Sequence, residues 1–377
     1  MIKRDIENFR CQLTPLTPIH IGSGEELSSC DYIIKKNQFF RISLEDFYEK
    51  LDLKLKKEFL ELIENNRFIS IRKFVKDNYK EEYGYLYKTT VSEDIQEKYE
   101  SKIGGATKKN EENLLSVFEF IGNYKGKYIP GSSLKGYIRT AYIANESENL
   151  NYNIMRNSKV KTAPFVSGAK EGGMDKEISA KALGLNSLEP KFDPFKNITI
   201  TDSNILSSAI TLGEVERANN KNAPLPMGIH EVTKSLLGTG DNISFEFNLS
   251  IKNLSYDLSK KLIELSVTKG ESIIKEVKEI YMDTLFEALR GMSNSVLKDD
   301  IQFFKATNNR KYLESCEKIL EYSKTLKDNE VLIRLGKGSG FNSKTLNLFN
   351  SRKKEVHTRV VVDGFPVGWG ILSYIED

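Results

Sequence analysis

VLIRLGKGSGFNSK, residues 331–344, is the stretch of this sequence that most restricts the choice of fold. It begins with apolar residues typical of a β-strand, and glycines then occupy every second position: Gly336, Gly338 and Gly340. Glycine adopts positive φ without a steric penalty and leaves backbone N–H groups accessible. Basic residues accompany the glycines: Arg334, Lys337 and Lys344. We therefore predict a loop that binds phosphate through backbone amides and lysines, with an ordinary solvated turn as the alternative.

A second informative stretch is KYIPGSSLKGYIRTAYIA, residues 127–144. Its Pro-Gly pair predicts a turn, after which Ser132 or Ser133 is expected to cap a helix. Lys135 and Arg139 are four residues apart and therefore share one face of that helix. A helix N-terminus with hydroxyl groups and bases nearby can bind an anion. The alternative is an ordinary capped helix whose two bases are solvated.

Basic residues are distributed unevenly, although the net charge of the 377 residues is only +3. Residues 331–362 contain seven basic residues and one acidic residue, and residues 120–143 contain four basic residues and no acidic one. Local basic segments on a nearly neutral chain are typical of a protein that binds a polyanion along a confined track. Solvated surface charge is the competing interpretation.

The composition argues against metal sites, disulfide frameworks and membrane spans. The three cysteines are far apart and form no Cys-x-x-Cys pair, and the three histidines are scattered. We therefore predict no metal and no cofactor. The sequence has no apolar run of the roughly 18 residues that a membrane-spanning helix needs, and it begins without a signal-peptide pattern. We expect a cytoplasmic protein that does not enter a membrane.

Alternation of apolar and polar residues predicts strands in well-separated parts of the chain. The predicted strands are residues 9–21, 31–34, 38–42, 197–202, 242–251, 356–362 and 367–375. Two prolines in residues 9–21 predict that this strand lies at a sheet edge or is interrupted by a bulge. Residues 205–216 and 229–234 flank a polar, proline-containing tip, which predicts a long β-hairpin arm. Most of residues 44–119 has a helical pattern, for which Ser43 is the expected N-cap. Helices are also predicted at 271–292 and at about 343–349.

Three motifs together resemble the RAMP (repeat-associated mysterious protein) superfamily of CRISPR–Cas systems. LTPIHIGSG, within residues 13–24, is similar to the first-strand signature of the superfamily. YIPGSSLKG, residues 128–136, is similar to its first-helix signature, and LGKGSGFNSKT, residues 335–345, to its C-terminal glycine-rich loop. DPFKNITITDS, residues 193–203, is a weaker match. Within the superfamily, the chain most resembles the subunit that caps the 3′ end of the guide RNA (crRNA) in Csm effector complexes of type III-A.

The resemblance implies an α+β fold with a ferredoxin-like, RNA-recognition-motif-like antiparallel sheet. Its core would consist of residues 1–43, 120–145, 193–292 and 331–377, with the hairpin arm at 205–234. Residues 44–119 and 293–330 would be helical insertions, and residues 146–192 a loop-rich insertion.

The resemblance also implies a non-catalytic subunit that binds crRNA through its backbone and shape. The expected partners are crRNA, the backbone RAMP subunit and the small helical subunit of a Csm complex, with a host nuclease for crRNA trimming as a further candidate. The residues predicted to contact RNA are His20, Ser132, Ser133, Lys135, Arg139, Arg334, Gly336, Lys337, Gly338, Ser339, Gly340, Phe341, Lys344 and Arg352.

Two enzymatic functions remain as alternatives. Asp31 follows the first-strand loop, where cutting subunits of related complexes carry an aspartate, and His20 could act as a general base in a guide-processing ribonuclease. GSGFNSKT, residues 338–345, also matches the phosphate-loop pattern of nucleotide hydrolases except that Ser343 replaces a glycine. A phosphate loop requires a parallel α/β sheet around it, which this sequence pattern does not predict.

Overall fold

The computed structural model describes residues 6–28, 30–65, 67–104, 115–149, 179–219, 224–253, 256–268, 271–338 and 358–376. Its strands are β1 (Ile6–Pro15), β2 (Gly22–Leu27), β3 (Tyr32–Lys35), β4 (Gln38–Arg41), β5 (Tyr87–Thr90), β6 (Val117–Phe120), β7 (Gly122–Asn123), β8 (Gly126–Lys127), β9 (Ile198–Ile200), β10 (Ile210–Asn219), β11 (Leu225–Thr233), β12 (Phe245–Lys252), β13 (Val267–Thr268), β14 (Glu271–Ser272), β15 (Glu330–Arg334), β16 (Thr358–Val362), β17 (Phe365–Pro366) and β18 (Trp369–Glu376).

Helices separate these strands along the chain. They are α1 (Leu44–Lys50), α2 (Leu53–Glu64), α3 (Phe68–Asn78), α4 (Glu93–Gly104), α5 (Gly131–Asn149), α6 (Tyr256–Leu265), α7 (Met282–Ala306) and α8 (Arg310–Ser323). Within the described ranges, no helix is both long and apolar enough to cross a bilayer.

β1 lies in the middle of the first sheet, whose antiparallel neighbours follow the order β15-β18-β1-β12-β9. Side chains alternate between the two faces of a strand, so Phe9, Cys11 and Leu13 of β1 all point into the core. Leu134 of α5 and Leu289 of α7 belong to the same hydrophobic core. The sheet is therefore stabilised by two helices that cover its apolar face.

The order of these elements is compatible with the predicted ferredoxin-like arrangement. A β-α-β-β-α-β unit is formed, in chain order, by β1, α5, β9, β12, α7 and β18. In the sheet, β18 lies beside β1, and β12 lies between β1 and β9. β15 adds a further strand at the edge, next to β18. The predicted α+β class is confirmed.

The second sheet has the order β17-β16-β10-β11-β6-β2 and includes the predicted hairpin. β10 and β11 pair from Ile210 with Thr233 at one end to Arg217 with Leu225 at the other. The predicted hairpin arm does not stand alone, because β16 pairs with β10 and β6 pairs with β11. The described strands of the hairpin are thus held on both sides within the sheet.

The predicted insertion at 44–119 contains helices α1 to α4 but also strand β5, which completes a small sheet with β3 and β4. Ser43 caps α1 as predicted, since its hydroxyl accepts a hydrogen bond from the Asp46 amide at 3.1 Å. Phe47, Phe59 and Phe74 share a hydrophobic cluster with β4. The insertion therefore has a core of its own.

Two predicted elements have different boundaries in the structure. The helix predicted at 271–292 begins only at Met282, because residues before it bond to other segments: the Asn253 side chain binds both the amide and the carbonyl of Ile280. The strand predicted at 9–21 ends at Pro15, and a separate strand of the second sheet begins at Gly22. Similarly, the two C-terminal strands β16 and β18 belong to different sheets. The alternative that the strand at 9–21 lies at a sheet edge was wrong, because β1 is the central strand of its sheet.

Candidate nucleic-acid interface

The glycine-rich loop starts directly after β15, and its first glycines have the predicted positive φ. Gly336 has φ 80° and Gly338 has φ 87°. A Cβ at Gly336 would lie 2.2 Å from the His20 carbonyl oxygen, and one at Gly338 would lie 2.7 Å from Cβ of Val360. Glycine is required here because the protein's own backbone and side chains come so close. The start of the loop is thus fixed against the first-strand motif and β16.

Lys337 lies between these glycines, and its backbone and its side chain contact different parts of the protein. Its amide donates to the His20 carbonyl at 2.8 Å, so this N–H group serves the fold and not a phosphate. Its side chain is exposed, and Nζ lies 2.8 Å from Nε2 of His230 and 4.7 Å from the ring centroid of Phe118. Partial burial lowers the pKa of Lys337, and the charge of Arg217 acts in the same direction while Glu26 opposes it.

Phe118 and His230 form an aromatic pair beneath this lysine. Their rings stack with centroids 4.4 Å apart and planes 25° apart, because parallel pairing of β6 with β11 places the two residues side by side. Neither residue was predicted from the sequence. His230 lies on a strand that was predicted correctly, but no local motif distinguishes it, and the register that brings Phe118 beside it joins segments over a hundred positions apart.

His20 lies inside the protein, which corrects its predicted role as an RNA contact. Its Nδ1 donates to the Glu231 carbonyl at 2.7 Å, and its ring meets that of His230 edge-on at 4.7 Å. Burial lowers the pKa of His20 to about 4 and that of His230 to about 3. Both imidazoles are therefore neutral near pH 7, and a buried His20 is poorly placed to act as a general base.

Lys127 and Glu231 contact each other in a buried position beside the two histidines. Lys127 Nζ lies 3.0 Å from Glu231 Oε2 and 2.9 Å from Glu119 Oε1, and the Phe120 amide also donates to Glu231 at 2.8 Å. Burial raises the pKa of Glu231 and lowers that of Lys127. The carboxylate of Glu119 is therefore the group that balances the positive charge of Lys127 within the fold.

The two bases of the first-helix motif are also engaged by the protein. Lys135 Nζ donates to the Ile198 carbonyl at 2.7 Å, and the Arg139 guanidinium pairs with Asp193 at 2.9 Å. Both partners belong to the motif at 193–203, so the resemblance motifs form a tertiary contact. This engagement argues against the predicted role of Lys135 and Arg139 in phosphate binding, and also against the alternative in which both bases are solvated.

The start of α5 packs closely on the same 193–203 segment. The Gly131 amide donates to Asp202 at 2.9 Å, and a Cβ at Gly131 would lie 2.4 Å from the Ile200 carbonyl oxygen. Ser132 is exposed and Ser133 is partly buried. Because α5 begins at Gly131, neither serine caps the helix as predicted. Both remain candidate RNA contacts.

Arg334 is a core residue, which corrects its predicted role at the RNA surface. Its side chain is 1% exposed, pairs with Asp300 at 2.7 Å and lies over the Trp369 ring. RNA at the surface could not reach this guanidinium. The remaining predicted contacts lie outside the described residues: Ser339, Gly340, Phe341, Lys344 and Arg352.

The carboxylate of Asp31, the candidate catalytic aspartate, already contacts neighbouring protein groups. Its Oδ2 accepts a hydrogen bond from the Ser28 amide at 2.7 Å, and its Oδ1 lies 3.6 Å from the Arg41 guanidinium. Over the described ranges, histidine, cysteine, aspartate and glutamate side chains form no cluster of three or more that could hold a metal ion. The phosphate-loop alternative is also disfavoured, because β15 pairs antiparallel with β18 instead of lying in a parallel sheet.

Comparison with known proteins assigns the family. The model of the RAMP superfamily matches residues 12–364. The chain belongs to the RAMP superfamily. The matched region includes all four motifs from which the resemblance was inferred.

The chain is also similar in sequence to two proteins named Csm5. The chain is 28% identical over 356 residues to the CRISPR system Cms protein Csm5 of Methanocaldococcus jannaschii, a match that covers 92% of this chain and 74% of that protein. It is 35% identical over 147 residues to Csm5 of Streptococcus thermophilus, covering 37% of this chain and 39% of that protein.

Solved structures share the fold of this chain. A chain of a Csm-crRNA-target RNA ternary complex from a type III-A CRISPR-Cas system, determined by cryo-EM, superposes with a TM-score of 0.64 at 18% identity, covering 97% of this chain and 100% of that one. The crystal structure of T. onnurineus Csm5 superposes with a TM-score of 0.61 at 20% identity, covering 96% and 99%. At these identities the likeness establishes the fold.

Proposed function

We propose that this chain is a crRNA-binding subunit of a type III-A CRISPR effector complex, in which it holds the 3′ region of the guide and supports crRNA maturation and complex assembly in antiviral defence. Membership of the RAMP superfamily and similarity to proteins named Csm5 along most of the chain support this proposal. The shared fold with a chain of a Csm-crRNA-target RNA complex agrees with it.

The observation that carries the proposal is the position of Lys337 at the start of the glycine-rich loop. Lys337 is an exposed residue whose ammonium group lies over the ring of Phe118, which stacks on His230, and the exposed Arg217 provides a second positive charge nearby. Single-stranded RNA is bound by a combination of positive charge along its backbone and aromatic groups near its bases. The close packing of Gly336 and Gly338 fixes the backbone at Lys337, so little ordering of this part of the backbone opposes binding.

We further propose that the subunit is not an enzyme. The Asp31 carboxylate closes a turn and faces Arg41, and His20 is buried with its Nδ1 bonded to the backbone. The partners in this proposal are crRNA, the backbone RAMP subunit and the small helical subunit, and a host nuclease for trimming crRNA. A cytoplasmic location would follow from assembly with guide RNA.

The experiment that tests the proposal is the substitution Lys337→Gln in an assembled effector complex. We expect less crRNA to be retained after purification at moderate salt. The log–log dependence of RNA affinity on salt should also become shallower by about 0.7 for each phosphate that the variant no longer neutralises. Lys57→Gln, an exposed lysine of α2 in the helical insertion, is the matched control and should change neither quantity. Unchanged affinity and slope in Lys337→Gln would contradict the proposal.

A further inference from the structure

The tip of the β7–β8 hairpin presents an aromatic side chain to solvent. Tyr124 is 92% exposed, the largest exposure among the large hydrophobic side chains of the described residues. Tyrosine at a protein surface usually lies with its ring against other side chains and only its hydroxyl in water. A ring that is exposed almost completely is available to a planar ligand.

Hydrogen bonds hold the backbone of this turn in place. The Asn123 side chain accepts a hydrogen bond from the Lys125 amide at 2.8 Å across the turn. Below the tip, the Lys127 amide donates to the Ser207 hydroxyl at 3.1 Å, and the Lys127 carbonyl accepts from the Leu206 amide at 2.9 Å. Because the turn is already ordered, a ligand that stacks on Tyr124 would lose little binding free energy to ordering of the loop.

The charge beside Tyr124 indicates which ligand fits. Residues 120–143 contain four bases, and three of them are turned towards protein partners: Lys127, Lys135 and Arg139. The fourth, Lys125, has no acidic partner among the described residues, and its Nζ lies 5.6 Å from the Tyr124 ring centroid. An exposed ring beside an unbalanced ammonium group matches a base and its phosphate.

We propose that Tyr124 and Lys125 form a stacking site for one base of single-stranded RNA, with Lys125 at an adjacent phosphate. The inference rests on the proposed function and adds a contact that the motifs do not include. The hairpin follows directly from β6, whose Phe118 contacts Lys337, so residues 117–127 connect both candidate RNA contacts. Within the hairpin, the exposed neighbours of Tyr124 are small or polar, Gly122, Asn123 and Lys125, which favours RNA over an apolar protein surface.

A tryptophan reporter tests the stacking directly. The chain has one tryptophan, Trp369, and it is fully buried, so Tyr124→Trp introduces the only exposed indole among the described residues. We expect single-stranded RNA to quench its fluorescence, and an RNA of the same length with abasic residues to quench it much less. Tyr85→Trp is the matched control, because Tyr85 is also exposed beside a lysine, Lys88, but Glu81 balances that charge at 2.5 Å.

Affinity measurements separate this inference from the proposed function. With the full chain, Tyr124→Ala should weaken binding of single-stranded RNA by about fivefold or more, the lower limit for loss of one base–aromatic stack, and should barely change binding of abasic RNA. If RNA binds the variant normally, or quenches Tyr85→Trp and Tyr124→Trp equally, the stacking site is wrong and the proposed function stands. If Tyr124→Ala instead weakens only association with other subunits, the tip is a protein contact and the stacking site is again wrong. If the unaltered chain binds no RNA, both proposals fail.

Discussion

Nη1 of Arg334 donates to Oδ2 of Asp300 at 2.7 Å, and both side chains are 1% exposed. The other oxygen of the same carboxylate accepts a hydrogen bond from Arg359 at 2.5 Å. Arg334 ends β15, before the glycine-rich loop, and Arg359 lies in β16, after it. One buried carboxylate on α7 therefore fastens both ends of the segment that contains the loop.

Asp300→Asn should be strongly destabilising. The substitution removes the negative charge that balances two buried guanidinium groups, and removal of one partner from a buried ion pair costs about 3–5 kcal/mol. Chemical denaturation of the purified chain measures this loss. Glu287→Gln, at an exposed position of the same helix, is the control and should stay within about 0.5 kcal/mol of the unaltered protein. Equal stability of the two variants would show that Asp300 does not carry this role.

Gly336→Ala should destabilise the protein by more than about 1 kcal/mol, because φ is positive and the new Cβ would meet the His20 carbonyl at 2.2 Å. Gly291→Ala in α7 is the matched control: nothing lies within 4 Å of its Cβ position, and alanine in a helix is more favourable than glycine by about 0.5–1 kcal/mol. Thermal unfolding of both variants should therefore move in opposite directions. A Gly336→Ala protein as stable as the parent would contradict the close packing.

The buried histidines should make stability depend on pH. Their folded-state pKa values, about 4 for His20 and about 3 for His230, lie below the ordinary value of 6.5. The unfolded chain therefore binds protons first, and stability present above pH 6.5 is lost as the pH falls towards 4. Between pH 7.5 and 5.5 the loss is on the order of 1 kcal/mol per histidine. His230→Gln should remove its share of this loss in denaturation curves measured at the two pH values.

Substitution of Glu231 is a control, because its effect on the pH dependence of stability should be opposite to that of His230→Gln. Burial raises the pKa of Glu231 to about 8, so the folded state binds its proton first and gains stability as the pH falls from 8. Glu231→Gln should therefore lose more stability between pH 7.5 and 5.5 than the unaltered protein, whereas His230→Gln loses less. Identical pH dependence in all three proteins would mean that neither group titrates as its burial requires.

Asp31→Asn should leave target-RNA cleavage by an assembled complex unchanged in rate and in cut positions. The asparagine retains an oxygen that can accept the Ser28 amide, so the turn is preserved while the charge is removed. Gel analysis of the cleavage products measures the outcome. Loss of one cut towards the 3′ side of the guide would make this subunit a nuclease and overturn the proposed function.

Local patterns predicted much of the fold. Alternating residues identified β1, β9 and β12, and the Ser43 cap located the start of α1. These features depend on residues that are neighbours in sequence, so a local pattern is sufficient to reveal them. The first half of the helix predicted at 271–292 was wrong because its structure depends on residues that are distant in sequence. The backbone of Ile280 bonds to the side chain of Asn253.

The sequence by itself determined the superfamily, the α+β class and the positive φ of Gly336 and Gly338. The tertiary structure decided which basic residues remain available to a ligand. In the sequence, nothing local distinguishes Arg334, Lys127 and Arg139 from Lys337 and Lys125, because all five are basic residues of the two basic segments. The first three contact Asp300, Glu231 and Asp193 within the fold, and these partners lie far from them in sequence. A buried charge must be paired, and its partner is chosen by packing between distant elements, so only the folded chain identifies Lys337 and Lys125 as exposed cations.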